Sequence, residues 1–214
     1  MAETYPGKAA LAMPALALGG SGRAQRIGLL GGSFNPAHGG HVQLAHEALK
    51  ALRLDEVWLM VSPGNPLKVG HGDMAPFKQR LAWAQEVASP PRIRATDIEW
   101  KLGVRHTIRT LKRLKKLYPR TQFIWLMGAD GLANFHKWKS WRQIADTVPI
   151  AVFNRPGADR RALQGRAATA LRHRRCQPAS LAMQPRQEKP GWTFISMQPN
   201  PISATALRRR QQPE

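Results

Sequence analysis

Gly31-Gly32-Ser33-Phe34-Asn35-Pro36-Ala37-His38-Gly39-Gly40-His41 lies between an apolar run, Ile27 to Leu30, and a helical pattern that begins at Val42. An apolar run, a glycine turn and an amphipathic start read as strand, loop and helix. The first N–H groups of such a helix have no partner within it. The helix dipole adds partial positive charge there, so the junction favours an anion, phosphate above all. His38 and His41 stand three residues apart at the helix start. Their imidazoles can donate to phosphate oxygens and follow negative charge as it moves along a polyphosphate.

Outward from this junction the chain alternates between strand and helix patterns. Strands are predicted at Val57 to Val61, Ile93 to Ile98, Phe123 to Met127, Ile150 to Phe153 and Thr193 to Met197. Helices are predicted at Val42 to Leu52, Pro76 to Ala88, Thr107 to Leu117, within Asp130 to Thr147, at Arg160 to His173 and from Ser203 onward. Residues 174–191, with four prolines or glycines and little periodicity, read as a loop. Repeated βα units imply an α/β fold, a Rossmann-like doubly wound parallel sheet with helices on both faces. Ligands bind such sheets at the carboxyl ends of the strands, where the strand order reverses. The loops after the first, second and fifth predicted strands carry the informative residues and are expected to converge there. Residues 1–25 stand apart: Lys8, an alanine-rich stretch from Ala9 to Leu18 broken by Pro14, then Gly19-Gly20-Ser21-Gly22. They read as a disordered extension rather than a signal peptide, leaving 26–214 as a single domain.

The chain has 214 residues, enough for one α/β domain with a sizeable core. No stretch approaches the roughly 18 apolar residues of a membrane helix. The single cysteine, Cys176, excludes an internal disulfide and fits a reducing, cytoplasmic setting. The net charge is +20, thickened at Lys112 to Lys116, Arg172 to Arg175 and Arg208 to Arg210. Such a field attracts polyanions, nucleotides or nucleic acid. With few aromatics among these runs, they read as solvated surface and not as a nucleic-acid site. No acidic cluster has metal-ligand spacing, so no metal site is assigned to the protein itself.

The segment Gly32 to His41 closely resembles the Gly-x-Phe-Asp-Pro-x-His-x-Gly-His signature of the nucleotidylyltransferase superfamily, with Asn35 in place of the usual aspartate. Ile202-Ser203-Ala204-Thr205-Ala206-Leu207-Arg208 is similar to its second signature, Ile-Ser-x-Thr-x-Ile-Arg. Gly128-Ala129-Asp130 with Phe135 and Trp138, then Arg155-Pro156-Gly157, resemble the nicotinate-mononucleotide adenylyltransferase branch. The resemblance runs over about residues 26 to 210 in the expected order.

What it implies is adenylyl transfer from ATP to nicotinate mononucleotide, in NAD biosynthesis. Nicotinamide mononucleotide or phosphopantetheine is the alternative acceptor, and a basic nucleic-acid binder on the same fold the alternative class. Implied on the ATP side are Gly32, Ser33, Phe34, His38, His41, Asp130 for the ribose, Arg155 for the adenine, and Ser203, Thr205 and Arg208 for the triphosphate. His38, His41 and Arg208 are the catalytic set. Implied on the mononucleotide side are Asn65, Lys68, Thr107 and Trp138, with Trp141 a packing alternative to Trp138. Arg105 and His106 stand where the family commonly has serine and tyrosine. Mg²⁺ is implied as a passenger on ATP oxygens and water, needing few protein ligands. A homo-oligomer is compatible with all of this.

Overall fold

Strands buried on both faces must be apolar at consecutive positions, whereas half-exposed strands alternate. Glu56–Val61 and Ile150–Phe153 are buried at every position, and Phe123 to Met127 likewise. The computed structural model describes residues 25–64, 74–89, 91–154, 158–184 and 188–198. Its first half contains β1 (Arg26–Gly32), α1 (Gly39–Ala51), β2 (Glu56–Val61), α2 (Phe77–Val87), β3 (Ile93–Thr96), α3 (Ile98–Lys101) and α4 (Thr107–Leu117). Then follow β4 (Gln122–Gly128), α5 (Ala129–Phe135), α6 (Trp141–Thr147), β5 (Ile150–Phe153), α7 (Asp159–Leu163), α8 (Arg166–Ala170), α9 (Pro178–Met183) and β6 (Trp192–Ile195).

The six strands form one sheet in the order β3-β2-β1-β4-β5-β6, and every pairing is parallel. Leu30 pairs with Leu59 on one side and Leu126 on the other. The direction of winding reverses between β1 and β4, which puts the switch point at the carboxyl end of β1. Pleating sends alternate residues to opposite faces. Leu29, Trp58, Met60, Phe123 and Trp125 join one core, under α3 to α8. Leu30, Leu59, Val61, Ile124 and Leu126 join the other, under α1, α2 and α9. Each fully buried large apolar side chain contributes about 1.5–3 kcal/mol. Among the described residues no helix is long and apolar enough to cross a membrane.

Three expectations need correction. The third strand stops at Thr96, whose hydroxyl accepts a hydrogen bond from the Ile98 N–H at 3.2 Å and turns the chain into the short helix α3. The stretch 160–173 is not one helix. Gly165, in an extended conformation, separates α7 from α8, and a 3₁₀ turn follows at Arg172–Arg174. The loop assigned to 174–191 holds α9, with proline at its start and Leu181 and Ala182 buried. Residues 1–24 and the helix expected from Ser203 lie outside the described residues. After β6, Met197 exchanges two hydrogen bonds with the Asn154 side chain, 2.8 and 3.0 Å, which pins this segment beside the carboxyl end of β5.

Candidate active site

The glycine turn leaves β1 and enters α1 through Phe34, whose φ of +49° is in the left-handed region. The Phe34 ring is buried and lies 4.8 Å from the His41 ring, so its side chain packs while its backbone shapes the turn. His38 is the N-cap of α1, and its Nδ1 accepts from the Gly40 N–H at 3.1 Å. The Nδ1 of His41 accepts from the His38 N–H at 3.2 Å, and the two rings are 4.0 Å apart. This is a capping box built from two imidazoles instead of the usual hydroxyl and carboxylate. Because both Nδ1 atoms accept, each neutral ring carries its proton on Nε2 and is a donor there. The first turn of α1 has no acidic side chain, so nothing on that turn offsets the positive end of the helix dipole.

Asn35 braces the turn over a long distance in sequence. Its amide oxygen accepts from the Ala75 N–H at 3.1 Å, just before α2. An amide oxygen accepts this hydrogen bond as a carboxylate oxygen would, so asparagine in place of the usual aspartate leaves the brace intact.

A cleft of about 290 Å³ opens at the carboxyl ends of β1, β2 and β4. Gly31, Gly32 and Ser33 form one wall, and Ser62 and Gly64, after β2, another. Trp125 and Trp138 supply the aromatic surface, edge to face at 5.9 Å. Trp138 also meets Phe135 edge to face at 5.4 Å, whereas Trp141 is buried against Phe135 and belongs to the core. Arg105, His106, Lys137 and Lys139 rim the opening, and Thr107 begins α4 beside them.

Among the described residues, Glu99 is the one carboxyl on the cleft wall. It is buried, and its Oε1 accepts from the Thr110 hydroxyl at 2.8 Å. Burial pushes its pKa up to about 7, with the Thr110 hydrogen bond opposing. Loss of water around His106, then the charges of Lys139, Arg109 and Arg105, lower the pKa of that imidazole. At neutral pH the described part of the cleft is therefore electropositive, with Glu99 partly protonated. An apolar, aromatic cavity with a cationic rim accepts a flat ring bearing negative substituents.

Of the residues singled out from sequence, Gly32, Ser33, Thr107 and Trp138 line the cleft. Phe34, His38 and His41 stand on the α1 side of the same turn. Asp130 is exposed in the first turn of α5, where Gly128 is the N-cap, so its side chain does not cap that helix. Asn65, Lys68, Arg155, Ser203, Thr205 and Arg208 lie outside the described residues. Among the described residues, no group of three or more His, Cys, Asp or Glu side chains is placed to hold a metal.

The sequence reading missed Glu99, Ser62, Trp125, Lys137 and Lys139. Trp125 sits in an apolar run that announces only a buried strand, and the two lysines flank Trp138 in a surface turn like any solvated lysine. The basic run on α4 is exposed at Lys112, Arg113, Lys115 and Lys116. The neighbouring Tyr118 turns inward onto Trp58 and Phe123 and offers no stacking platform.

Comparison with known proteins places this arrangement. Residues 29–210 match the family model described as cytidylyltransferase-like. A protein of Gluconobacter oxydans named "Probable nicotinate-nucleotide adenylyltransferase" is 57% identical over 187 residues, 87% of this chain and 95% of that one. One of the same name from Erythrobacter litoralis is 52% identical, covering 86% and 84%. The Plasmodium falciparum nicotinic acid mononucleotide adenylyltransferase complexed with NaAD superposes with a TM-score of 0.62 at 17% identity, covering 86% of this chain and 83% of that one. At that identity the likeness speaks for the fold alone. The chain belongs to the cytidylyltransferase-like family, and within it to the nicotinate-nucleotide adenylyltransferases.

Proposed function

We propose that this enzyme transfers the adenylyl group of ATP to nicotinate mononucleotide, giving nicotinate adenine dinucleotide and pyrophosphate. The observation that carries this reading is the aromatic, cation-rimmed cleft that opens directly beside the glycine turn and its histidine pair. The pyridine ring stacks on Trp138, and its carboxylate meets the first N–H groups of α4 at Thr107. The phosphate of the mononucleotide then faces the turn. One of its oxygens attacks the α-phosphorus of ATP, a new P–O bond forms, the bond to the β-phosphate breaks, and the electron pair leaves with pyrophosphate. The nucleophile is already an anion, so neither a strong base nor a covalent intermediate is needed. Alignment and charge stabilisation are the whole task.

His41 donates from Nε2 to the α-phosphate in flight, with His38 beside it, and the backbone N–H groups of Gly32, Ser33 and Phe34 face the phosphates. On the strength of the sequence resemblance, Ser203, Thr205 and Arg208 complete the triphosphate side. On the same ground, Asp130 contacts the ribose, Arg155 the adenine side, and Asn65 and Lys68 the mononucleotide. Mg²⁺ brought in with ATP would neutralise charge on the phosphates and would need few ligands from the protein. We place the reaction in the cytoplasm, where ATP is abundant and the thiol of Cys176 stays reduced.

The test is pyrophosphate release from ATP and Mg²⁺, with nicotinate mononucleotide, nicotinamide mononucleotide and phosphopantetheine supplied in parallel. Release with the nicotinate substrate, and little with the others, is expected. Release with another acceptor instead would reassign the pocket around Trp138, and none with any would overturn the reading.

A further inference from the structure

Arg80, on α2, is only 2% exposed, and its guanidinium is spent on main-chain oxygens. Nε donates to Ala75 O at 2.9 Å, Nη1 to both Ser33 O and Ser62 O at 2.8 Å, and Nη2 to Pro63 O at 3.3 Å. The cation also lies over the Phe77 ring at 5.6 Å, and Phe77 stacks on Trp100 at 4.8 Å. These acceptors belong to three separate segments. Ser33 follows β1, Ser62 and Pro63 follow β2, and Ala75 precedes α2. Two further bonds tie the same segments together: Ser62 N–H to Gly32 O at 2.9 Å, and Ala75 N–H to the Asn35 side chain at 3.1 Å.

Burying a guanidinium is costly unless its donors are satisfied, and an apolar residue would pack a helix onto a sheet at less expense. The planar fork of arginine, however, can reach several carbonyls at fixed angles, which no other side chain can do. The loops joined here are the phosphate turn and the opposite wall of the cleft, since Ser33 and Ser62 both line it.

We infer that Arg80 is a positioning residue for adenylyl transfer, setting the gap between the β1–α1 turn that holds the triphosphate and the β2–α2 wall that holds the acceptor. This rests on the reaction proposed above. Each substrate has its own seat, and Arg80 holds the two seats in one frame. A shift of about 1 Å between attacking oxygen and phosphorus costs on the order of 100-fold in rate, even when both substrates still bind.

The experiment compares wild type, Arg80→Lys and Arg80→Ala, all full-length, by steady-state kinetics well below the unfolding temperature of each. Lysine keeps the charge but has one nitrogen, which cannot span four carbonyls. The expected result is kcat lowered about 100-fold in folded Arg80→Lys, with KM for ATP and for the mononucleotide each within about threefold. Methylguanidinium, which fits the space vacated in Arg80→Ala, is expected to restore part of kcat. A residue that merely stabilises the fold would lower the unfolding temperature and leave kcat per folded molecule intact, and that result overturns the proposal. So does a folded Arg80→Ala that methylguanidinium does not rescue, and so does failure of both variants to fold, which would make Arg80 a folding residue. Wild-type protein that releases no pyrophosphate overturns the reaction and this role with it. Active wild type with unaffected variants overturns this role alone.

Discussion

The Trp125 ring occupies the space in which a side chain at residue 31 would sit: a β-carbon on Gly31 would stand 2.6 Å from Cη2 and 2.9 Å from Cζ2. The two residues lie on adjacent strands, and both line the cleft. Glycine at position 31 is thus required by close approach, and Trp125 serves as core residue and cleft surface together.

Gly31→Ala is therefore expected to destabilise the protein by about 1–3 kcal/mol through overpacking, and to weaken mononucleotide binding by displacing the indole. The atoms in conflict belong to the six-membered ring of the indole, which phenylalanine at 125 would not place there. Trp125→Phe should thus recover part of the loss in the double variant. Urea unfolding of all four proteins measures the coupling, and strictly additive effects would refute the contact as the cause.

His41 carries two tasks, a cap for His38 through Nδ1 and a proposed donor to the α-phosphate through Nε2. His41→Asn can keep the first, since an amide oxygen reaches where Nδ1 stands, while losing the second. It is expected to retain stability yet lower kcat about 100-fold, with KM for ATP within about threefold. Near-normal turnover in His41→Asn would assign His41 to helix capping alone.

Trp138→Ala is expected to raise KM for the mononucleotide about tenfold or more and leave KM for ATP nearly unchanged, because the stacking role proposed for it concerns one substrate only. Initial-rate measurements with each substrate varied in turn decide this. An effect on ATP instead would move Trp138 to the other half of the site.

Glu99 should make stability fall as pH rises. Its pKa is raised by burial from the ordinary 4.5 to about 7, against the opposing Thr110 hydrogen bond. Between those values the folded protein keeps a proton that the unfolded chain has released. The stabilisation is full below pH 4.5 and is lost as pH climbs through about 7. The shift corresponds to roughly 3 kcal/mol across that window. Glu99→Gln, which stays neutral and can still accept from Thr110, should flatten this slope in denaturant titrations between pH 4.5 and 8. An equal slope in both proteins would show that other groups carry it.

Most of the architecture was legible because it is written locally. A strand buried on both faces shows as a continuous apolar run, as in Phe123 to Met127, and the glycine turn before His38 and His41 announces a helix start with donors to spare. The short helices α3 and α9 were not legible. Four and six residues are too few to show a period, and an isolated helix of that length is not stable in water. They exist because Ile98 and Leu181 are buried against the sheet.

The same division runs through the site. Its chemistry-bearing residues near the turn and at Trp138 stand in short motifs, where spacing along the chain is spacing in space. Arg80 lies 47 residues from Ser33, and in its helix it looks like any solvent-facing arginine until the sheet brings the carbonyls of Ser33, Ser62 and Pro63 to its guanidinium. Glu99, Lys137 and Lys139 likewise meet only because α3, α4 and the α5–α6 turn converge over the carboxyl ends of β1, β2 and β4. Local pattern specified the longer elements and the glycine turn. Which distant side chains would be buried, desolvated or brought within hydrogen-bonding reach was settled by packing, since desolvation and contact depend on neighbours that the chain order does not adjoin.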